Sequence, residues 1–418
     1  IIVDEEHDSS FKQHQPAPRY HARDAAIYLA HLHKAKVLLG SATPCLESYY
    51  NAKTEKYALV EMLTRFAGIA LPKIQTIDIR KAHLKKQMTQ QFAPKMLSTI
   101  TETLEAGKQV ILFQNRRGYS PVLSCGTCAY TPNCNACDVS LTYHKWNNQL
   151  KCHYCGYTEQ VPEFCPSCSA KDFSDKGFGT EQIEESLKEL LPTYVTKRMD
   201  YDTTRGKNAH QQIITDFEQG RIDILVGTQM VTKGLDFDNV TLVGILNADS
   251  MLHFPDFRAY ERAFQLMMQV AGRAGRKGQQ GQVLVQTYDE EHEMFGLLKA
   301  NDYTSFIRQQ VQERKLFSYP PYNRLIGITL KHKNQRKLDE TANALVDLMR
   351  KSFGNRVLGP EYPSISRIRN YYHKNVLLKI EHEASISEAK SILHSIIEKM
   401  KNHADYKAVR FILDVDPV

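Results

Sequence analysis

Four copies of one short pattern fall between residues 125 and 168. They are Cys125-x-x-Cys128, Cys134-x-x-Cys137, Cys152-x-x-Cys155 and Cys165-x-x-Cys168, and they use eight of the chain's nine cysteines. The segments between them hold few long apolar runs, so this block cannot close around an ordinary hydrophobic core. Metal or disulfide bonds must hold it instead. The chain shows no basic, apolar secretory leader, which points to the cytoplasm, where thiols stay reduced and zinc is the expected binder. Thiolates two residues apart grip one face of a tetrahedral Zn²⁺, and two such pairs complete the shell. Eight cysteines therefore imply two zinc sites of four thiolates each. Residues 138–151, between Cys137 and Cys152, have close to the span of a zinc ribbon, so spacing joins Cys134, Cys137, Cys152 and Cys155 on one ion. Cys125, Cys128, Cys165 and Cys168 then share the other; sequential pairing is the alternative. His144 and His153 are expected at the surface, since thiolates fill both shells. With no open coordination position, both zincs are structural. Cys45 reads as a buried thiol.

A chain of 418 residues holds roughly two to four domains. No apolar run approaches the ~20 residues of a membrane span, which argues against a membrane protein. The chain opens Ile1-Ile2-Val3-Asp4 without a Met, and an apolar strand at residue 1 leads us to expect a piece of something longer. Net charge is +7, and residues 317–418 hold 17 Lys and Arg against 11 Asp and Glu, a balance of +6. Such a tail fits a polyanionic partner, or simply a solvated basic face.

Residues 1–60 alternate strand and helix. A short strand, Ile1–Val3, ends in Asp4-Glu5-Glu6-His7. A helix follows over Arg23–His33. A second strand, Val37–Leu39, ends in Gly40-Ser41-Ala42-Thr43-Pro44. Parallel sheets carry their sites at such carboxyl edges. Ser9–Tyr20 reads as a loop and residues 61–93 as a connector. A second α/β region spans roughly 95–300, with strands at Gln109–Phe113, Asp223–Val226, Val240–Leu246 and Gln282–Gln286. Its helices include Glu181–Leu191, with Thr180 as N-cap, and Phe264–Val270. The cysteine block interrupts it. From 317 the order β-α-β-β-α-β predicts a ferredoxin-like α+β domain.

Asp4 and Glu5, adjacent acids at a strand's end, can hold Mg²⁺ and polarise a water. Gln269-x-x-Gly272-Arg273-x-x-Arg276 places two arginines three apart, where they can reach a γ-phosphate. Each motif alone is weak. In this order, however, Asp-Glu-Glu-His, Ser-Ala-Thr and Gln-x-x-Gly-Arg-x-x-Arg resemble motifs II, III and VI of superfamily 2 helicases. Gly227-Thr228-Gln229 through Lys233-Gly234-Leu235-Asp236 resembles motif V. The eight-cysteine block inside the second lobe narrows the resemblance to the bacterial primosomal replication-restart helicases. Further matching stretches are Ser9–Gln13, Asn115–Gly118, Gly177–Gln182 and Leu413–Pro417.

The resemblance implies RecA-like helicase lobes, the first partial and the second complete, with an inserted two-zinc module and a C-terminal ferredoxin-like domain. The implied boundaries are 1–93 for the first lobe and connector, 94–120 and 177–316 for the second lobe, 121–176 for the zinc module and 317–418 for the last domain. It implies that Asp4 and Glu5 serve Mg²⁺ and water, and that Gln269, Arg273 and Arg276 complete the ATP site. Gly234 and Asp236 would sit near ribose and phosphates. Ser41 and Thr43 would couple hydrolysis to DNA movement, with Phe11 and Tyr20 in an aromatic-rich loop and Arg116 and Thr228 at the DNA backbone. The implied activity is an ATP-dependent 3′→5′ DNA helicase acting at stalled or recombined forks, in a bacterial cytoplasm at the nucleoid. Its implied partners are forks, D-loops and single strands, single-stranded-DNA-binding protein and the replicative helicase loading machinery. No G-x-x-x-x-G-K-[ST] occurs in the sequence. The P-loop is therefore expected upstream of residue 1, and this chain is expected not to hydrolyse ATP alone. The alternative is a non-enzymatic zinc-ribbon scaffold for nucleic acid.

Overall fold

The computed structural model describes every residue except 63, 65–69, 115–121, 126, 129, 145–147, 172, 177–178, 202, 205, 207, 233–236, 276–279 and 418, and only the backbone of 122, 174–176 and 232. The chain packs as two compact units. One comprises Ile1–Ala58, Val122–Asp175 and Gln309–Val418, and the other Leu59–Pro121 and Lys176–Arg308.

The second unit is built on a six-stranded, all-parallel sheet. Its strands lie side by side in the order Thr196–Met199, Ile224–Gly227, Gln109–Phe113, Val240–Ile245, Gln282–Thr287 and Lys73–Asp78. Gln109–Phe113 is buried at all five positions, as a central strand covered on both faces must be. The helix Pro94–Glu105 starts with Pro at its first turn, where no amide partner is lost. It lays Met96, Ile100 and Leu104 against Val110, Leu112 and Leu242. Burying each such side chain is worth about 1.5–3 kcal/mol.

Two expectations change here. Residues 73–78, read as connector, form the edge strand of this sheet and pair along their whole length with Gln282–Thr287. Polar residues dominate the segment because an edge strand is half exposed. Thr180 is not the cap of its helix but its first residue. Gly179 is the cap, and the buried Thr180 hydroxyl donates to Asp200 at 2.6 Å.

In the first unit, Ile2–Val3 and Leu38–Leu39 form a parallel pair. The C-terminal domain is an antiparallel sheet with Val357–Glu361, Tyr371–Glu381, Asn323–His332 and Arg410–Val415 side by side. That is chain order second, third, first, fourth, the ferredoxin-like arrangement expected from the β-α-β-β-α-β pattern. Its two helices, Gln335–Phe353 and Ile386–Asn402, bury Leu338, Leu345, Met349, Leu393 and Ile397 against Ile326, Ile328 and Leu330. Asn334 and Ser385 cap them, each side-chain oxygen accepting the backbone N–H three residues on.

The cysteine block is a five-stranded sheet packed on Leu123, Leu141 and Leu150. It interrupts the second unit in sequence, yet it packs in the first. Arg367–Ile368 and Tyr371–Glu381 form a hairpin whose two-residue turn, Arg369-Asn370, has φ of 51° and 61°. Positive φ at both centres is the type I′ geometry that matches strand twist. This turn seats on the block. Asn370 N–H donates to Ala136 O at 2.7 Å, Asp138 N–H donates to Arg367 O at 2.9 Å, and Ser366 Oγ and Arg367 Nε donate to the Asp138 carboxylate at 2.6 and 2.8 Å.

Candidate functional site

The four cysteine pairs share one backbone device. The N–H of each first cysteine donates to the carbonyl five residues later: Cys125 to Tyr130, Cys134 to Val139, Cys152 to Tyr157 and Cys165 to Ala170. The chain thereby curls so that both sulfurs of a pair face one point. Gly156 and Ser169 reach left-handed φ of 83° and 60° at the fifth position. At the matching position of the second pair stands Asp138, tied to the C-terminal hairpin.

The sulfurs collect into two groups, Cys125, Cys128, Cys165 and Cys168, and Cys134, Cys137, Cys152 and Cys155, each with all ligand atoms within 4.8 Å. This is the nested pairing expected from spacing. Sγ–Sγ separations of 3.5–3.6 Å are too long for a disulfide, at about 2 Å. They are close to the ~3.8 Å edge of a tetrahedron with Zn–S of about 2.3 Å. The two groups fit two structural zinc ions. Arg369 N–H donates to Cys137 Sγ at 3.2 Å, so the C-terminal hairpin supplies an outer hydrogen bond to one thiolate. His144 departs from expectation: it lies on the inner strand Thr142–His144 and is buried. Its Nε2 is 3.2 Å from His153 Nε2, and neither ring joins a thiolate group.

At the strand end in the first unit the three acids divide. Asp4 is exposed, and its Oδ1 accepts the Glu5 N–H at 3.0 Å. Glu5, at φ 49°, turns its carboxylate outward, 3.5 Å from His7 Nδ1. Glu6 turns inward. It accepts from Cys45 N–H at 2.6 Å, Ser48 Oγ at 2.8 Å and Arg23 Nη1 at 3.0 Å. Glu6 thereby fixes the start of the helix Leu46–Lys53, where a negative charge is favoured. Burial opposes the charge on Arg23, but Cys45, Asp24 and Glu6 outweigh it and raise the guanidinium pKa. Next to this core, His7 Nδ1 lies 2.7 Å from Ser41 Oγ, which also accepts the Thr43 N–H at 3.0 Å. The Asp-Glu-Glu-His and Ser-Ala-Thr stretches are thus one hydrogen-bonded assembly. Cys45 is the buried thiol expected from the sequence; the inward roles of Glu6, Arg23 and Ser48 escaped the sequence reading, although the third acid of a run whose first two leave the strand had to face somewhere.

Ser9–Tyr20 is more ordered than a plain loop. Ser9–Phe11 is a 3₁₀ turn capped by Asp8, and Lys12 pairs with His21 across its neck. Phe11 lies 6.4 Å from the His21 ring, and Tyr20 is exposed. Lys12 is buried. Its Nζ forms an ion pair with Asp414 at 2.8 Å and donates to Val415 O and Arg19 O. The loop is therefore anchored to the last strand of the C-terminal domain, a link that nothing in the local sequence signals.

In the second unit Thr228 follows the strand Ile224–Gly227 and accepts the Val231 N–H. A Cβ on Gly227 would stand 2.2 Å from Val231 Cγ1 and 2.9 Å from Met199 O, so only glycine permits this turn. Gln269 sits in the helix Ala259–Ala271, and Arg273 in the turn beyond it. That turn lies against Gly281, where a Cβ would meet Ala274 C at 2.3 Å. Arg116, Gly234, Asp236 and Arg276 lie outside the described residues.

Residues 157–278 match the model of the helicase conserved C-terminal domain. Residues 134–160 match the PriA DNA helicase Cys-rich region domain, and residues 315–418 the primosomal protein N C-terminal domain. The whole chain is 41% identical to the replication restart protein PriA of Bacillus subtilis, 40% to that of Synechocystis and 38% to that of Chlamydia pneumoniae. These alignments cover 100% of this chain and 51%, 50% and 56% of the relatives, so the chain spans about half the length of the curated relatives it matches. The chain belongs to the PriA family.

Proposed function

We propose that this chain serves an ATP-dependent 3′→5′ DNA helicase that recognises stalled or recombined forks and starts primosome assembly. The observation that carries the reading is the His7–Ser41 contact, 2.7 Å long, between the Asp-Glu-Glu-His and Ser-Ala-Thr stretches. A shift of the acids at the strand end is transmitted directly to Ser41 and Thr43. In this reading Asp4 and Glu5 orient Mg²⁺ and the attacking water, and Ser41 and Thr43 pass the resulting movement towards DNA. Bound Mg²⁺ and ATP supply the electrophilic phosphoryl group. Gln269, Arg273 and Arg276 stabilise charge on it, with Gly234 and Asp236 beside ribose and phosphates. Phe11, Tyr20, Arg116 and Thr228 face the DNA. Forks, D-loops, single strands, single-stranded-DNA-binding protein and the helicase-loading machinery are the partners, in the bacterial cytoplasm at the nucleoid. No helix among the described residues is long and apolar enough to cross a membrane.

The sequence contains no G-x-x-x-x-G-K-[ST], and we place the phosphate-cradling loop outside these residues. The 418-residue chain should show no ATP turnover with or without DNA; DNA-stimulated turnover by it would sink that placement. In the protein carrying its Walker lysine, Arg273→Ala should lower turnover by about 10³-fold or more while DNA affinity stays within threefold. Equal loss of both refutes the finger role.

A further inference from the structure

Two histidines of the cysteine block meet tip to tip. His144 is buried on the inner strand Thr142–His144, and His153 stands exposed inside the knuckle Cys152-His153-Tyr154-Cys155. The strand Gln149–Lys151 runs back along Thr142–His144 and leads straight into that knuckle, which brings the two rings together from nine residues apart. Their Nε2 atoms lie 3.2 Å apart and their ring centres 5.2 Å apart, with the planes inclined at 45°. Neither ring belongs to a thiolate group.

Two arrangements bring imidazole nitrogens face to face. One is a hydrogen bond, with one ring donating and the other accepting. Bonds from N–H centre near about 2.9 Å, so 3.2 Å is at the long end. With both ring axes along the line between the nitrogens, the best alignment for such a bond, the centres would stand about 5.5 Å apart. The other arrangement is a shared metal ion. An imidazole nitrogen lies about 2.05 Å from Zn²⁺. Two of them at a tetrahedral angle are then about 3.3 Å apart, and because each ring axis points at the ion, the centres are about 5.2 Å apart. The observed 3.2 and 5.2 Å match this second geometry more closely.

We propose that His144 and His153 form a third metal position in the block, holding one zinc-class divalent cation through both Nε2 atoms. Each ring then keeps its proton on Nδ1 and offers a lone pair at Nε2. Imidazole suits Zn²⁺, Ni²⁺ and Cu²⁺, whereas Mg²⁺ and Ca²⁺ take oxygen ligands. Two protein ligands leave two tetrahedral positions to water, so this ion exchanges readily, unlike those in the closed thiolate shells. Its effect is mechanical: it clips the exposed knuckle, which carries Cys152 and Cys155, to a buried strand.

The test is calorimetric titration of Ni²⁺ into the 418-residue chain holding its two zincs, with elemental analysis to separate nickel from zinc. One nickel should bind per chain while both zincs stay. Loss of an outer-shell partner already costs about 10–100-fold in metal affinity, so His153→Asn and His144→Asn should each weaken nickel binding at least tenfold. His31→Asn/His33→Asn, at exposed histidines outside the block, should leave it unchanged. Should the buried His144 variant disturb folding by circular dichroism, exposed His153→Asn and His153→Gln carry the test. A parent that binds no nickel overturns the site, as does a His153→Asn chain that keeps two zincs and binds nickel like the parent; either result leaves the hydrogen bond. Equal loss in the His31/His33 control overturns it as well, and so does nickel that enters only as zinc leaves. Loss of a structural zinc from both His153 variants also overturns it, because the ring then serves the Cys134 group.

Discussion

Glu6→Gln is the sharpest single perturbation of the strand-end assembly. The substitution keeps shape and volume but removes one charge. The Glu6 carboxylate is 1% exposed and the Arg23 side chain 12%. Removing one partner of a buried pair costs about 3–5 kcal/mol, because the remaining charge stays desolvated. Asp24 still holds Arg23 at 2.8 Å but is itself 53% exposed, so the lower end, about 3 kcal/mol, applies. The new amide must also meet two donors, Cys45 N–H and Ser48 Oγ, and a lost acceptor there adds about 1 kcal/mol. A two-unit chain does not unfold in one step, so the proper measure is local amide exchange. With tenfold per ~1.4 kcal/mol, the Cys45 and Ser48 amides should exchange at least a hundredfold faster in Glu6→Gln. Asp24→Asn, at the exposed partner, should change them less than tenfold. Exchange within threefold of the parent in Glu6→Gln would refute the view that this carboxylate organises the motif.

Zinc analysis should return two ions per chain, and Cys134→Ser should lose one while leaving the Cys125 group loaded. Asp138→Ala should speed zinc release to a chelator from the Cys134 group several-fold, measured with a colorimetric dye, without speeding the other. Lys12→Met should destabilise the Ser9–Tyr20 loop and the last strand by about 2–4 kcal/mol, read by exchange of the Gln13 and Asp416 amides; change at one only refutes the anchor. Burial lowers the His373 pKa to about 4, with Lys331 adding to it, and burial with Arg23 lowers that of His21 to about 4. Both rings are neutral when folded and take up protons more readily when unfolded. Their contribution is therefore full above pH 6.5 and lost as pH falls from 6.5 towards 4. Thermal melts of His373→Asn should lose less Tm over that window than the parent.

Local pattern carried much of the fold. The apolar run Gln109–Phe113 and the β-α-β-β-α-β order from 317 each match their elements because hydrophobic pattern reports burial directly. The cysteine pairing was readable because loop length limits which knuckles can share an ion. Lys73–Asp78 was not readable: an edge strand carries little apolar signal, and its partner lies some 200 residues away. Nor was the role of Glu6, since a charged residue shows its inward turn only once Arg23, Cys45 and Ser48 surround it. The link from Lys12 to Val415 spans 403 residues, beyond any window in which spacing speaks.

The Arg369-Asn370 turn bears on how portable the zinc block is. Val122–Asp175 is contiguous and holds every thiolate, so it looks like a part that can be cut out and grafted. Yet Asp138 meets residues 366 and 367 rather than its own loop, and the Cys137 sulfur takes an amide from residue 369. An excised ribbon should fold around two metals but hold the one at Cys137 more loosely than the parent chain does. Changes at 136–138 and at 366–370 should be tolerated together more readily than apart. Seen this way, the unit of exchange is a ribbon together with a hairpin whose Ser366 lies 228 residues downstream of Asp138.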